Sequence, residues 1–366
     1  MKKKIAVLVS GGVDSSVTLA LLKQQGHDLH AFYLKIWLED ELSYLGTCPW
    51  QEDLDYVTAV CKQLNVPVQV IPMQQMYHDR VVSYIIKEIK AGRTPNPDIL
   101  CNQFVKFGAF YDVIDSSFDY VATGHYAQIE HGPDISILKK GNDPVKDQTY
   151  FLSNLSQAQL RRALFPIGHL PKAQVRALAE QFHLPTAKRK DSQGICFLGK
   201  FNFSEFVQAH LGNKPGDIIE FETGKKLGTH QGFWFYTIGQ RQGIGLSGGP
   251  WYVVSKDVEK NIVYISNRYQ DVDVHKHGMI VSNFNWNQGY MCLKTELDVR
   301  FRHGAAVHPS TLESYSKNGS GKVGPLDVKL KIMLKAESSQ GIAAGQFAVL
   351  YDGDVCLGGG VIDQAF

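Results

Sequence analysis

Short apolar runs alternate with longer stretches of helical periodicity through the first third of the chain. Ile5-Ala6-Val7-Leu8-Val9 is continuously apolar, and residues 29–36 and 66–71 form two further runs of strand length. Runs of this kind read as strands covered on both faces. Between them apolar residues recur every three or four positions. Val17, Leu19, Ala20 and Leu22 lead to Gly26; Leu54, Val57, Cys61 and Leu64 form one face of residues 53–64; Val81, Val82, Ile85, Ile86 and Ile89 do so within residues 74–91, which Gly92 ends. With residues 119–123 as a further strand, the order strand, helix, strand, helix predicts a parallel sheet with helices on both faces.

The pattern then changes twice. Residues 151–210 read as helical, with Pro171 at a first helical position and Val175, Leu178, Ala179 and Phe182 on one face. After Lys214-Pro215-Gly216 come short β-rich runs at 217–221, 232–238, 251–255 and 262–266. A last block begins near Gly278, with runs at 296–301, 327–334, 346–351 and 355–362 and a turn at 316–324. Small antiparallel barrels fit both β regions.

Length and composition narrow the class. A chain of 366 residues is long for one core, so two or three domains are expected. At 44% hydrophobic and 20% charged it reads as globular, and no apolar run approaches the roughly 20 residues of a membrane span. Met1-Lys2-Lys3-Lys4 leads straight into a core strand, which argues against a cleaved signal and makes the cytoplasm the expected location. A net charge of +2 does not mark a broadly basic nucleic-acid binder. Any polyanion site must therefore come from local patches such as Lys188-Arg189-Lys190 or Lys139-Lys140, which taken alone read as solvated runs. Of the six cysteines, Cys48, Cys61, Cys101, Cys196, Cys292 and Cys356, none forms a C-x-x-C pair, which argues against a zinc ribbon.

Three stretches carry chemistry. Ser10-Gly11-Gly12-Val13-Asp14-Ser15-Ser16 follows the first strand and opens the first helix. Its glycines let the main chain approach a ligand, and the unpaired N–H groups of the helix start would face an anion. The loop lacks the Gly-Lys-Ser/Thr of a Walker A loop and the G-x-G-x-x-G of a dinucleotide fold. It holds an acid, Asp14, and a carboxylate beside phosphates implies an intervening cation, Mg²⁺. The second stretch is Gly92-Arg93-Thr94-Pro95-Asn96-Pro97-Asp98-Ile99-Leu100-Cys101-Asn102. A helix starting near Asp98 or Cys101 and running through Phe104, Phe107 and Phe110 would set Cys101 near a partial positive charge that favours a thiolate. Equally, Asp98 reads as an N-cap and Cys101 as a small core residue. The third is Lys188-Arg189-Lys190-Asp191-Ser192-Gln193-Gly194-Ile195-Cys196-Phe197, where upstream cations would lower the thiol pKa if they fold close, and where a buried cysteine is the plainer reading.

The loop S-G-G-x-D-S resembles that of the PP-loop ATP pyrophosphatases. Taken with G-R-T-P-N-P-D-I-L-C-N and D-S-Q-G-I-C-F-L-G in this order, the chain closely resembles the tRNA-specific 2-thiouridylases. Ala122-Thr123-Gly124-His125-Tyr126, Lys146-Asp147-Gln148-Thr149-Tyr150-Phe151, Gly239-Gln240-Arg241 and Gly345-Gln346 agree, while residues 42–50 and 132–134 depart from the family pattern.

The resemblance implies an α/β fold: a parallel-sheet PP-loop ATP-binding catalytic domain (1–210), a small β-rich central domain (211–273) and a C-terminal β-barrel tRNA-binding domain (274–366). It implies ATP at Leu8, Val9, Ser10, Gly11, Gly12, Val13, Asp14 and Ser15, with Leu34 and Gly124 lining the adenosine pocket and Mg²⁺ near Asp14. Asn96, Pro97 and Asp98 would meet the target base, and His125, Lys146, Asp147, Gln148, Arg300, Phe301 and Gln346 would touch tRNA. Cys101 matches the nucleophile, Cys196 the persulfide carrier, and Asp98 is placed to shuttle a proton. The implied activity is 2-thiolation of the wobble uridine: ATP adenylates the uracil C2 oxygen and sulfur comes from a cysteine persulfide charged by a donor protein. Two other readings stand beside it: a PP-loop ligase or amidating enzyme acting on a carbonyl, indifferent to both cysteines, and a tRNA-binding module without catalysis.

Overall fold

The computed structural model describes residues 1–36, 50–191, 203–268, 276–304, 306–315, 329–336 and 341–366. Its first layer is the expected parallel sheet: β1 (Lys4–Leu8), β2 (Asp28–Lys35), β3 (Val68–Pro72), β4 (Tyr120–Ala122) and, after a hairpin of β5 (Ala127–His131) and β6 (Ser136–Lys140), the two-residue β7 (Ala163–Leu164). The order is β3-β2-β1-β4-β7. Strands flanking β1 are reached by crossovers in opposite directions, so a crevice opens beyond its C-terminal end, where residues 10–16 lie.

Alternate residues of β1 feed two cores. Ile5 and Val7 pack with α1 (Val13–Gln24), α2 (Trp50–Leu64) and the helix Lys172–Gln181; Ala6 and Leu8 pack with the helical segments between 74 and 113. The continuous helix expected at 74–91 contains a π-helical turn at His78–Val82. The helical stretch expected at 151–210 is broken: among the described residues, helices Thr149–Leu152, Gln157–Leu160, Lys172–Gln181 and Phe203–Leu211 are interrupted by β7, too short to leave a periodic signal. Pro171 is the N-cap of its helix, one position earlier than expected.

The central region forms a four-stranded sheet of β8 (Gly216–Glu220), β9 (Lys226–His230), β10 (Tyr252–Asp257) and β11 (Ile262–Ser266), in the order β10-β11-β8-β9. Residues 232–238, read as a strand, instead make a 3₁₀ turn at Phe233–Phe235. Their aromatic content suits a strand, but Phe233 fills the central core while Trp234 and Phe235 pack against the first domain. Tertiary packing overrides β propensity there.

The last region is a closed barrel of β12 (Gly278–Trp286), β13 (Glu296–Arg300), β14 (His308–Tyr315), β15 (Lys329–Leu334), β16 (Phe347–Asp352) and β17 (Val355–Ala365). Its order is β12-β15-β14-β13-β16-β17, and β12 pairs with β17 to close it. The turn expected at 316–324 lies outside the described residues. The barrel is joined to the first domain by more than a linker. Phe347, Val349, Tyr351 and Cys356 belong to the same core as Phe107, Tyr150 and Leu152, and β6 pairs with β17 through Lys139 and Val355. The N-P-D segment is therefore built against the barrel rather than beside it.

Candidate active site

The loop after β1 is shaped for an anion. Gly11 has φ +74°, and a Cβ there would lie 2.6 Å from the Asp53 carbonyl oxygen. Gly12 is the N-cap of α1 and supplies no side-chain cap, so the helix-start N–H groups are left for a ligand. The Ser10 backbone N–H donates to Ser15 Oγ at 3.2 Å, and the Ser15 and Ser16 hydroxyls donate to the Gly12 carbonyl at 3.1 and 2.9 Å. Gly124 closes the other side: a Cβ on it would come within 2.8 Å of Ser15 N. Leu8, Val9 and Val13 are buried beneath the loop, and Leu34 packs against the neighbouring core.

The acid in the loop has a partner that residue spacing did not reveal. Lys172 Nζ donates to both Asp14 oxygens, at 2.7 and 2.9 Å, and the Tyr126 hydroxyl donates to Asp14 Oδ1 at 2.7 Å. Burial and the Asp14 charge raise the Tyr126 phenol far above its ordinary value, so it stays a donor. Lys172 also lies 2.9 Å from Asp191 Oδ1, Lys146 lies 3.1 Å from Asp191 Oδ2, and Arg176 completes the cluster. Partial burial pushes the Asp191 carboxyl up, but Lys172 and Lys146 outweigh it and bring it down to about 2.

The expected Lys188-Arg189-Lys190 surface run is also corrected at its middle residue. Arg189 donates to the Gly11 carbonyl at 2.7 Å and pairs with Asp53, so it supports the loop. Lys172 and Arg176 stand four apart on one helix, a spacing that puts both cations on one face; the apolar stripe of that helix masked them. Among the described residues no group of three His, Cys, Asp or Glu side chains could hold a metal. A Mg²⁺ ion here would thus take most of its oxygens from phosphates, with Asp14 as its protein partner.

The second stretch is held by the barrel rather than by the glycine loop's cluster of charges. Asn96, not Asp98, is the N-cap: its side chain accepts from the Ile99 N–H at 3.3 Å, with Pro97 in the first turn. The helix Pro97–Leu100 continues into a π-helical stretch, Cys101–Ala109. Asp98 is half-buried and Cys101 is 1% exposed. Burial pushes the Cys101 thiol up to about 11, with Lys106 pulling it down and Asp98 pushing it further up. The thiolate stabilisation expected from a helix start is thus outweighed by desolvation.

The barrel braces this segment. Gln346 Nε2 donates to the Thr94 and Pro95 carbonyls at 3.1 and 3.4 Å, and the Thr94 N–H donates to the Ala344 carbonyl at 2.8 Å. Gly345, with φ +89°, presses so close that a Cβ would sit 2.8 Å from Thr94 N. The Tyr150 hydroxyl donates to the Phe347 carbonyl at 3.1 Å.

The remaining predicted residues divide by exposure. Gln148 is tied to Tyr126, donating to its carbonyl at 2.9 Å and accepting from its N–H at 3.0 Å. His125 bonds Thr123 Oγ1 at 2.7 Å and lies among the Phe107 and Phe165 rings; burial, then Lys106, lowers its pKa well below the ordinary value, so it is neutral. Lys146 reaches the surface. Asp147 and Arg300, by contrast, form a buried pair at 2.7 Å, and Phe301 is 1% exposed. The side chains of these three, expected to touch tRNA, are buried. Cys196 and residues 192–202 lie outside the described residues, as does Cys48. Cys61 and Cys356 are buried, and burial raises their thiols to about 11 and about 12.

A parallel sheet with a glycine loop at its switch point, followed by two β domains, defines a three-domain protein with a HUP-type nucleotide fold. Residues 3–200 match the tRNA methyl transferase HUP domain, 204–267 the tRNA methyl transferase PRC-barrel domain, and 276–362 the aminomethyltransferase beta-barrel domain. Over its length the chain is 44% identical to the tRNA-specific 2-thiouridylase MnmA of Parabacteroides distasonis, covering 98% of each chain. It is 43% identical to the protein of that name from Halalkalibacterium halodurans, covering 99% of this chain and 95% of the other, and 42% identical to that of Porphyromonas gingivalis, covering 98% and 99%. The chain belongs to the tRNA-specific 2-thiouridylase family. The domain descriptions speak of methyl transfer, but the full-length relatives agree on thiolation.

Proposed function

We propose that this chain catalyses ATP-dependent 2-thiolation of the wobble uridine of tRNA. Two features support the reading: the uncapped glycine loop with its Asp14–Lys172 pair, and the N-P-D segment of Cys101 clamped by Gln346 of the barrel. ATP, when bound, supplies the adenylyl group that makes the uracil C2 oxygen a leaving group. Leu8 to Ser15 would hold ATP, Leu34 and Gly124 would line the adenosine pocket, and Mg²⁺ would accompany the phosphates near Asp14.

Asn96, Pro97 and Asp98 would receive the base, with Asp98 moving a proton. Cys196, charged as a persulfide by a donor protein, would deliver the outer sulfur to C2. Cys101 would attack the inner sulfur, forming a Cys101–Cys196 disulfide as the sulfur–sulfur bond of the persulfide breaks. A buried Cys101 thiol near pKa 11 is mostly protonated at neutral pH, so this step requires substrate-bound rearrangement or a local base. Asp147, Arg300 and Phe301 would act from beneath, while His125, Lys146, Gln148 and Gln346 would meet tRNA. No helix among the described residues is long and apolar enough to cross a membrane; a cytoplasmic enzyme fits this reading.

The test is direct. The protein is incubated with ATP, Mg²⁺, tRNA and a persulfide donor able to charge Cys196, and the wobble nucleoside is analysed by mass spectrometry. Wild type should yield 2-thiouridine with AMP and pyrophosphate, and Cys101→Ala should yield none. Full activity in either Cys101→Ala or Cys196→Ala would refute the two-cysteine scheme.

A further inference from the structure

Phe151 and His303 come from different domains, the first from the helix Thr149–Leu152 and the second from the turn after β13. Their rings lie with centroids 4.5 Å apart and planes tilted by 32°. The backbone of Phe151 is tied to the segment that carries Cys101: Asn102, which follows Cys101, donates its Nδ2–H to the Phe151 carbonyl at 3.1 Å. Tyr150 backs Phe151 edge-on at 5.6 Å and is itself fixed to the barrel.

Phe151 is half-buried, whereas His303 is exposed, and among the described residues no hydrogen bond holds the imidazole nitrogens. The charges of Arg300, Asp98, Asp147 and Lys146 are all felt at His303. Desolvation, then Arg300, lowers its pKa, so the ring is uncharged near neutral pH. A histidine that relays protons within the protein would be hydrogen-bonded, and an aromatic pair serving only the core would be buried on both faces. A flat neutral ring, exposed outward and backed by a second ring, is instead the arrangement that holds unpaired bases of single-stranded RNA.

We propose that the Phe151–His303 stack is a platform for an unpaired nucleobase of the RNA substrate, on the surface next to the segment that carries Cys101. The inference rests on the tRNA reading above and extends it to His303, outside the quoted motifs, and to Phe151, which stands in one of them without a role. The occupant is an RNA base rather than the adenine of ATP, because the nucleotide loop is bounded by a separate set of residues, Gly124, Lys172 and Arg189.

The test uses the full chain and an unmodified tRNA at fixed salt. His303→Ala should weaken tRNA binding roughly 5- to 150-fold, the range for losing one stacked base. His303→Phe should restore binding and His303→Lys should not. A tRNA carrying 2-aminopurine next to the target should lose fluorescence on wild type and keep more of it on His303→Ala. ATP affinity should be equal in all variants. Because His303 is exposed, its variants should keep the wild-type melting temperature, whereas Phe151→Ala also touches the core and serves only as a second check. Unchanged tRNA affinity and quenching in His303→Ala would overturn the platform. So would rescue by lysine but not phenylalanine, which would make the contact one of charge, or a fall in ATP affinity, which would make the base adenine. A wild-type protein that binds no tRNA would overturn the parent reading and the platform with it.

Discussion

Asp14 and Asp147 each hold a cation at 2.7 Å, in surroundings that differ in almost every other respect. The Asp14 side chain is 32% exposed, and its partner Lys172 is shared with Asp191. The Asp147 and Arg300 side chains are 2% and 3% exposed; Asp147 also accepts from the Gly141 N–H and the Thr149 hydroxyl, and Arg300 lies over the Tyr351 ring. In the first pair Asp14 would stay within reach of water if the lysine were removed. In the second, removing one member strands a charge where water does not reach. One pair equips the site and the other fixes the joint between the first domain and the barrel on which the site stands.

This contrast can be broken by experiment. Arg300→Met should cost about 3–5 kcal/mol of unfolding free energy, read from urea denaturation, because it leaves Asp147 buried and unpaired. Lys172→Met should cost no more than about 1 kcal/mol by the same measurement, as expected of a partly hydrated pair. It should nevertheless weaken ATP binding roughly tenfold, the equivalent of about 1.4 kcal/mol, seen by calorimetry. If the Lys172 variant proved the less stable of the two, the distinction between equipment and joint would fall.

The smallest effect concerns acid. The folded Asp191 carboxyl sits at about 2, below the roughly 3.9 of an unfolded aspartate. Its stabilising contribution is therefore complete above about pH 4 and is lost as pH falls towards 2. The stability difference between wild type and Asp191→Asn should be flat from pH 5 to 8 and shrink below pH 4. A difference that already declines between pH 7 and 5 would mean that the Asp14–Lys172–Asp191 cluster is not the low-pKa network described.

Legibility followed the same divide. The strand-loop-helix of residues 4–24 could be read because apolar run, glycines and helical period are all local. The Pro97 helix could also be read, although its cap moved from Asp98 to Asn96 because Pro97 suits the first turn and the residue before it must be extended. Residues 232–238 misled because strand-like aromatics were recruited to two cores. Strands β9, β12 and β14 left weak local signals and are recognised by the partners they pair with.

By itself the sequence determined the strand, glycine loop and helix that open the chain and the succession of a parallel sheet and two β domains, since each depends on residue type and short-range spacing. Only the tertiary structure decided that Lys172 answers Asp14, that Cys101 is buried and protonated, that Gly345 and Gln346 clamp Thr94 and Pro95, and that Phe151 meets His303. Those are contacts between residues far apart along the chain, set by how the barrel docks on the sheet domain. No periodicity encodes them.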